Sequence, residues 1–149
     1  AGSTPAIYGG AYERAFAGEV IRVIPGTAGC YACVRQGLAK TMGSVSSQQE
    51  FDYADDSKFV AEPGLGMDVS FIAMIQAKLA LLNLLRDTES SLDDIDAEMI
   101  IWVNSARPED GDLFSQPMAR YFVRVSKVES CPSCGAGSDV TSGEVGDVP

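Results

Sequence analysis

The chain has 149 residues, 46% of them apolar, which suits one domain with a true core, and no repeat or compositional break divides it. Its formal charge of −10 repels phosphates at long range, so binding to nucleic acid or anionic lipid by charge is not expected. It contains no histidine, so no Ser-His-Asp or Cys-His catalytic set can be drawn from it. With neither an export leader nor a lipidation signal in view, a cytoplasmic location is expected, and the start at Ala1 reads as a piece of a longer protein.

Two strands open the chain, one through Ala6 to Tyr12 and one through Glu19 to Ile24, where β-branched residues alternate with Glu19 and Arg22. Pro25-Gly26 stops the second strand, and the first CxxC, Cys30 and Cys33, follows in a turn. A short helix is expected over Val34 to Lys40, then a long mobile polar loop from Thr41 to Lys58. After Pro63-Gly64-Leu65-Gly66 an apolar helix runs from Val69 to about Arg86, with Asp68 in its first turn, where a carboxylate favours the positive helix end. That run carries Gln76, Lys78 and Asn83 and is short for a bilayer, so it reads as a buried or interface helix rather than a membrane span.

An acidic linker, Asp87 to Asp96, leads to two further strands. Met99 to Val103 is almost wholly apolar, as in a strand covered on both faces. From Ala119 to Val125 apolar residues alternate with Arg120, Phe122 and Arg124, as in a half-exposed strand. Arg120 and Arg124 thus share a strand face, solvated or open to an acidic partner. The second CxxC, Cys131 and Cys134, comes just after. Residues 1–135 are read as the folded unit and 136–149 as a disordered acidic tail.

Chemistry concentrates in the four cysteines. Zinc takes four soft ligands at tetrahedral corners, and each CxxC turn delivers two thiolates to one ion, so Cys30, Cys33, Cys131 and Cys134 make a closed structural site with no position left for water or substrate. The alternatives are two disulfides or a redox CxxC. A cytosolic setting disfavours the first, and a single redox pair leaves the second motif unexplained. Gly64-Leu65-Gly66 begins like a dinucleotide fingerprint but has Val69 where a third small residue belongs, so it reads as a helix-entry turn. Asp55, Asp56 and Glu62 read as solvated acids.

The order of these parts resembles the second half of the ThiF/MoeB/HesA family, the adenylating enzymes related to ubiquitin activators. The resemblance is carried by Tyr8-Gly9-Gly10, Phe16 to Val20, Pro25-Gly26, Cys30-Tyr31-Ala32-Cys33, the helix with Phe71 to Ala77, and Cys131-Pro132-Ser133-Cys134-Gly135. It implies an α/β fold with a small, mostly antiparallel sheet, a long apolar helix and a four-cysteine zinc knuckle. It also implies ATP-dependent adenylation, with magnesium, of the C-terminal carboxylate of a ubiquitin-like or sulfur-carrier protein, and pairing into a homodimer or pseudo-dimer. This sequence departs from the family in lacking the glycine-rich nucleotide loop and in committing all four cysteines to the metal. The chain alone is therefore expected to be non-catalytic, as one part of an enzyme, an inactive partner subunit or a zinc-stapled binding scaffold.

Overall fold

The computed structural model describes residues 4–42, 64–89 and 92–135, with side chains described for all of these except 38–42. Four strands form one antiparallel sheet: β1 (Ala6–Ala11), β2 (Ala17–Val23), β3 (Met99–Val103) and β4 (Arg120–Val123) lie side by side in chain order. Among the described residues, two α-helices lie between β2 and β3: α1 (Tyr31–Met42) and α2 (Gly66–Leu85). The sheet is antiparallel throughout and combined with helix, the coarse architecture that the resemblance implies, and its strands fall in the β-branched, turn-bounded segments.

β2 and β3 are apolar at consecutive positions because both of their faces are covered. Ile21, Met99, Ile101 and Val103 face a cluster closed by Phe16, Phe114 and Val34 of α1. Val20 and Ile100 face the other way, into a cluster with Ile72 and Leu79 of α2. β4 alternates as its sequence requires: Arg120 and Phe122 are exposed, Tyr121 and Val123 half-buried. Arg120 lies 6.0 Å from the Phe122 ring, while Arg124 is taken up by an ion pair with Asp96.

Several boundaries differ from the sequence reading. α1 begins at Tyr31 rather than Val34, so Cys33 sits in the first turn of the helix instead of in a preceding turn. α2 begins at Gly66 and reaches 20 residues. By length and hydropathy this helix could cross a bilayer, yet it lies along the sheet with Ile72, Leu79 and Leu82 buried. The expected loop ends overlap α1 at Thr41 and Met42; the rest of that loop with Asp55, Asp56 and Glu62, and the tail 136–149, lie outside the described residues.

Glu19 and Arg22, which alternation would leave in solvent, are both sequestered. Arg22 is 6% exposed and donates to Asp94 at 2.7 Å and to the carbonyls of Ile95 and Ala97. The acidic linker is thereby fastened to the sheet. Partial burial disfavours the Asp94 charge, but hydrogen bonds from Arg22 and from the Ile95 amide outweigh it and hold the carboxyl below its ordinary range. This contribution to stability is whole above the ordinary carboxylate value of about 3.9 and is lost as pH falls below it.

α2 approaches the sheet closely because two glycines face it. A Cβ on Gly9 would stand 2.3 Å from the Gln76 side chain, which can swing aside. A Cβ on Gly18 would stand 2.3 Å from Ile72 Cδ1 and 2.7 Å from the Gly10 carbonyl oxygen, where backbone must move. Gly18→Ala is therefore expected to lower the unfolding free energy by about 1–3 kcal/mol, as overpacking does, with Gly10→Ala, which meets nothing within 4 Å, costing far less. Urea titration of the two variants measures the difference.

Candidate metal centre

Two distant segments build the site. The first is the turn into α1. Gly29 precedes Cys30, and a Cβ there would stand 2.8 Å from Cys33 Cβ and 3.0 Å from the Ser126 carbonyl, so only glycine lets the two segments meet. The Gly29 N–H donates to the Val125 carbonyl at 3.0 Å, tying this turn to the chain leaving β4. The Val34 N–H donates to the Cys30 carbonyl at 3.1 Å and starts the helix.

The second segment is a tight knuckle. The Cys131 N–H donates to the Val128 carbonyl at 3.0 Å and the Gly135 N–H to the Cys131 carbonyl at 2.8 Å. Any side chain at Gly135 would collide with the carbonyls of Glu129 and Cys131, at 2.2 and 2.5 Å. The Val128 N–H also points at Cys33 Sγ, 3.5 Å away, so one backbone turn serves both segments.

All four cysteines expected to bind zinc are brought together. Their sulfurs lie within 4.8 Å of one another, with Cys30–Cys33 at 3.9 Å, Cys30–Cys131 at 3.5 Å and Cys33–Cys134 at 3.4 Å. A tetrahedron with metal–sulfur bonds of about 2.3 Å has edges of about 3.8 Å, which these spacings approach. A disulfide needs about 2.05 Å, and all four cysteines are free thiols. The donor set therefore fits one tetrahedral thiophilic ion, and with four protein ligands it leaves no open position for a reacting group.

The electrostatics divide the four. Hydrogen bonds from the Ser133 amide, and then from Cys134, outweigh desolvation and draw the Cys131 thiol down to about 6. At Cys134 a hydrogen bond from the Cys30 amide lowers the value, but desolvation and hydrogen bonds with the other three sulfurs prevail and push it up to about 12. Cys33 and Cys131 are buried, whereas Cys30 and Cys134 are half-buried and stand on the wall of a half-open cleft of about 600 Å³.

One supporting network was not legible in the sequence. Glu19 accepts a hydrogen bond from the Tyr12 hydroxyl at 2.8 Å and an ion pair from Arg35 of α1 at 2.6 Å. Burial, together with the Glu19 charge, pushes the Tyr12 hydroxyl far above its ordinary range, so it stays a donor. This anchors α1, which carries Cys33, to the sheet. Its only sequence signal is a carboxylate inside an apolar strand. Gly64-Leu65-Gly66, by contrast, does serve helix entry: the Leu65 carbonyl accepts from the amides of Asp68 and Val69. Compared with protein-family models and with curated proteins, the chain matches none.

Zinc added to the metal-free chain at pH 7 should bind at about one per chain and release protons, since Cys134 with a value of about 12 must ionise to become a ligand. Affinity should accordingly rise with pH and the metal should leave on acidification; proton release in weak buffer and elemental analysis check both. Cys131→Ser should lose the metal and lower stability by about 3–5 kcal/mol or more, because it severs the two segments. Unchanged melting and metal content would contradict the site.

Proposed function

We propose that this chain is a zinc-stapled module, with Cys30, Cys33, Cys131 and Cys134 as ligands of one structural zinc ion. The observation that carries this reading is the near-tetrahedral spacing of four free sulfurs from two ends of the sequence. Zinc supplies cross-linking there and no reaction step, because the ligand shell is closed.

The finer reading places this module as the C-terminal part of an adenylating enzyme of the ThiF/MoeB/HesA type. It is supported by the order of the parts: strand pair, Cys-Tyr-x-Cys, apolar helix, strand pair, Cys-Pro-x-Cys-Gly. In this reading ATP and magnesium are handled by chain outside this sequence. The activated group is the C-terminal carboxylate of a ubiquitin-like or sulfur-carrier protein in the cytoplasm, and the module shapes the surface that receives the carrier and contributes to dimer contact. A second reading, a zinc-stapled binding scaffold or inactive partner subunit, is favoured by the exposed apolar side of α2, which suits a docking element whether or not an enzyme is attached.

Calorimetry should detect no ATP binding by the isolated chain, whereas the parent protein should catalyse carrier-dependent pyrophosphate exchange that Cys131→Ser abolishes. A parent that lacks a glycine-rich turn after a strand, or that shows no such exchange while retaining zinc, would favour the scaffold. ATP binding near Gly64 and Gly66 would contradict their role as a helix entry.

A further inference from the structure

The four cysteines differ in access. Cys33 is 0% exposed and Cys131 3%, whereas Cys30 and Cys134 are half-buried and line the cleft of about 600 Å³. That volume lies within the ~300–1,000 Å³ of small-molecule sites. Cys30 belongs to the first segment and Cys134 to the second, so the cleft reaches one cysteine of each CxxC and leaves one of each behind. If both outer sulfurs were displaced, Cys33 and Cys131 would still join the same two segments.

The charges on the cleft wall are also unequal. Arg124 is taken up by Asp96, and the half-buried Glu98 accepts a hydrogen bond from the Val125 N–H at 2.8 Å. Lys127 is the remaining cation; it is exposed and has no ion-pair partner among the described residues. Two acids and two bases make the wall formally neutral in a chain of charge −10, and its uncommitted charge is positive. An anion repelled elsewhere on the surface meets an attractive group here.

We propose that this cleft admits a low-molecular-weight thiol bearing a carboxylate, which displaces Cys30 or Cys134 from the metal and so carries zinc to and from the chain. The inference rests on the structural-zinc reading. A closed shell of four soft ligands gives no vacant position, so an entering ligand must replace one of them, and a sulfur of like softness competes best. The thiol's proton passes to the departing cysteine sulfur as one metal–sulfur bond replaces another, so no oxidant or reductant is required. Lys127 acts on the entering carboxylate, while Cys33 and Cys131 keep the two segments joined.

The zinc-loaded chain is mixed with 3-mercaptopropionate, 2-mercaptoethanol or cysteamine, and released zinc is captured by a fixed amount of 4-(2-pyridylazo)resorcinol. The slope of release rate against thiol concentration is read for each, and the ratio of wild-type to variant slope cancels the thiols' own reactivities. At low ionic strength Lys127→Glu should lower the slope for the anionic thiol about threefold, raise it for cationic cysteamine by a similar factor and leave neutral mercaptoethanol unchanged. Lys78→Glu makes the same charge change on exposed α2 and should alter none of the three. Thr27→Trp narrows the cleft from an exposed turn position and should slow all three thiols together, with zinc content and melting unchanged. Release indifferent to thiol from a chain that holds zinc overturns this inference alone, as does a Lys78→Glu effect equal to that of Lys127→Glu. A chain that binds no zinc overturns the structural-zinc reading and this inference with it.

Discussion

Cys33 and Cys134 are separated by 101 positions and their sulfurs by 3.4 Å. That closure is the constraint on which the rest of the structure depends. Cross-linking a loop of about 100 residues removes about 4.7 kcal/mol of freedom from the unfolded chain in the chain-entropy picture, and a metal that joins the same two ends acts in the same sense. What it fixes is specific: the first turn of α1 is held against the chain leaving β4, on the face of the sheet where Val34 joins the larger cluster. Gly29, Gly135 and the Val128 amide serve the same junction, since each permits or completes the approach of the two segments.

The opposite face is organised by packing against α2. There α2 is held by Ile72, Ile75 and Leu79 against Val20 and Ile100, and by the bare backbone of Gly18. Asn104 adds a polar clasp, donating to the carbonyls of Ala15 and Asp68 and accepting from Trp102 Nε1. The two faces therefore differ in kind. One gathers four cysteine sulfurs from two distant segments, while the other is held by apolar contact and hydrogen bonds.

The sequence made much of this legible where a local pattern is tied to a face. The unbroken apolar run Met99–Val103 signals a strand covered on both sides, and the alternation of β4 signals one covered on a single side. The paired CxxC spacing singles out the four cysteines before their geometry is known. Legibility fails where the deciding partner is remote. Glu19 and Arg22 look solvated in the strand pattern, yet their partners lie 16 and 72 positions away. The start of α1 at Tyr31 is hidden because a CxxC at a helix entry reads, locally, as a turn. The division of α2 into a covered and an uncovered side is also invisible in its sequence, since apolar residues occupy nearly every side and periodicity has nothing to contrast.

Trp102 is the single tryptophan of the chain, and its ring stacks on Phe71 with centroids 5.6 Å apart while its N–H is held by Asn104. The indole thus lies across the joint between β3 and α2, remote in sequence from the cysteines. Its emission is a native optical gauge of that joint alone: lifting α2 from the sheet would hydrate the ring and shift its fluorescence to longer wavelength, while events confined to the sulfur cluster would leave it unchanged. The molecule carries its own means of separating motion on one face from chemistry on the other.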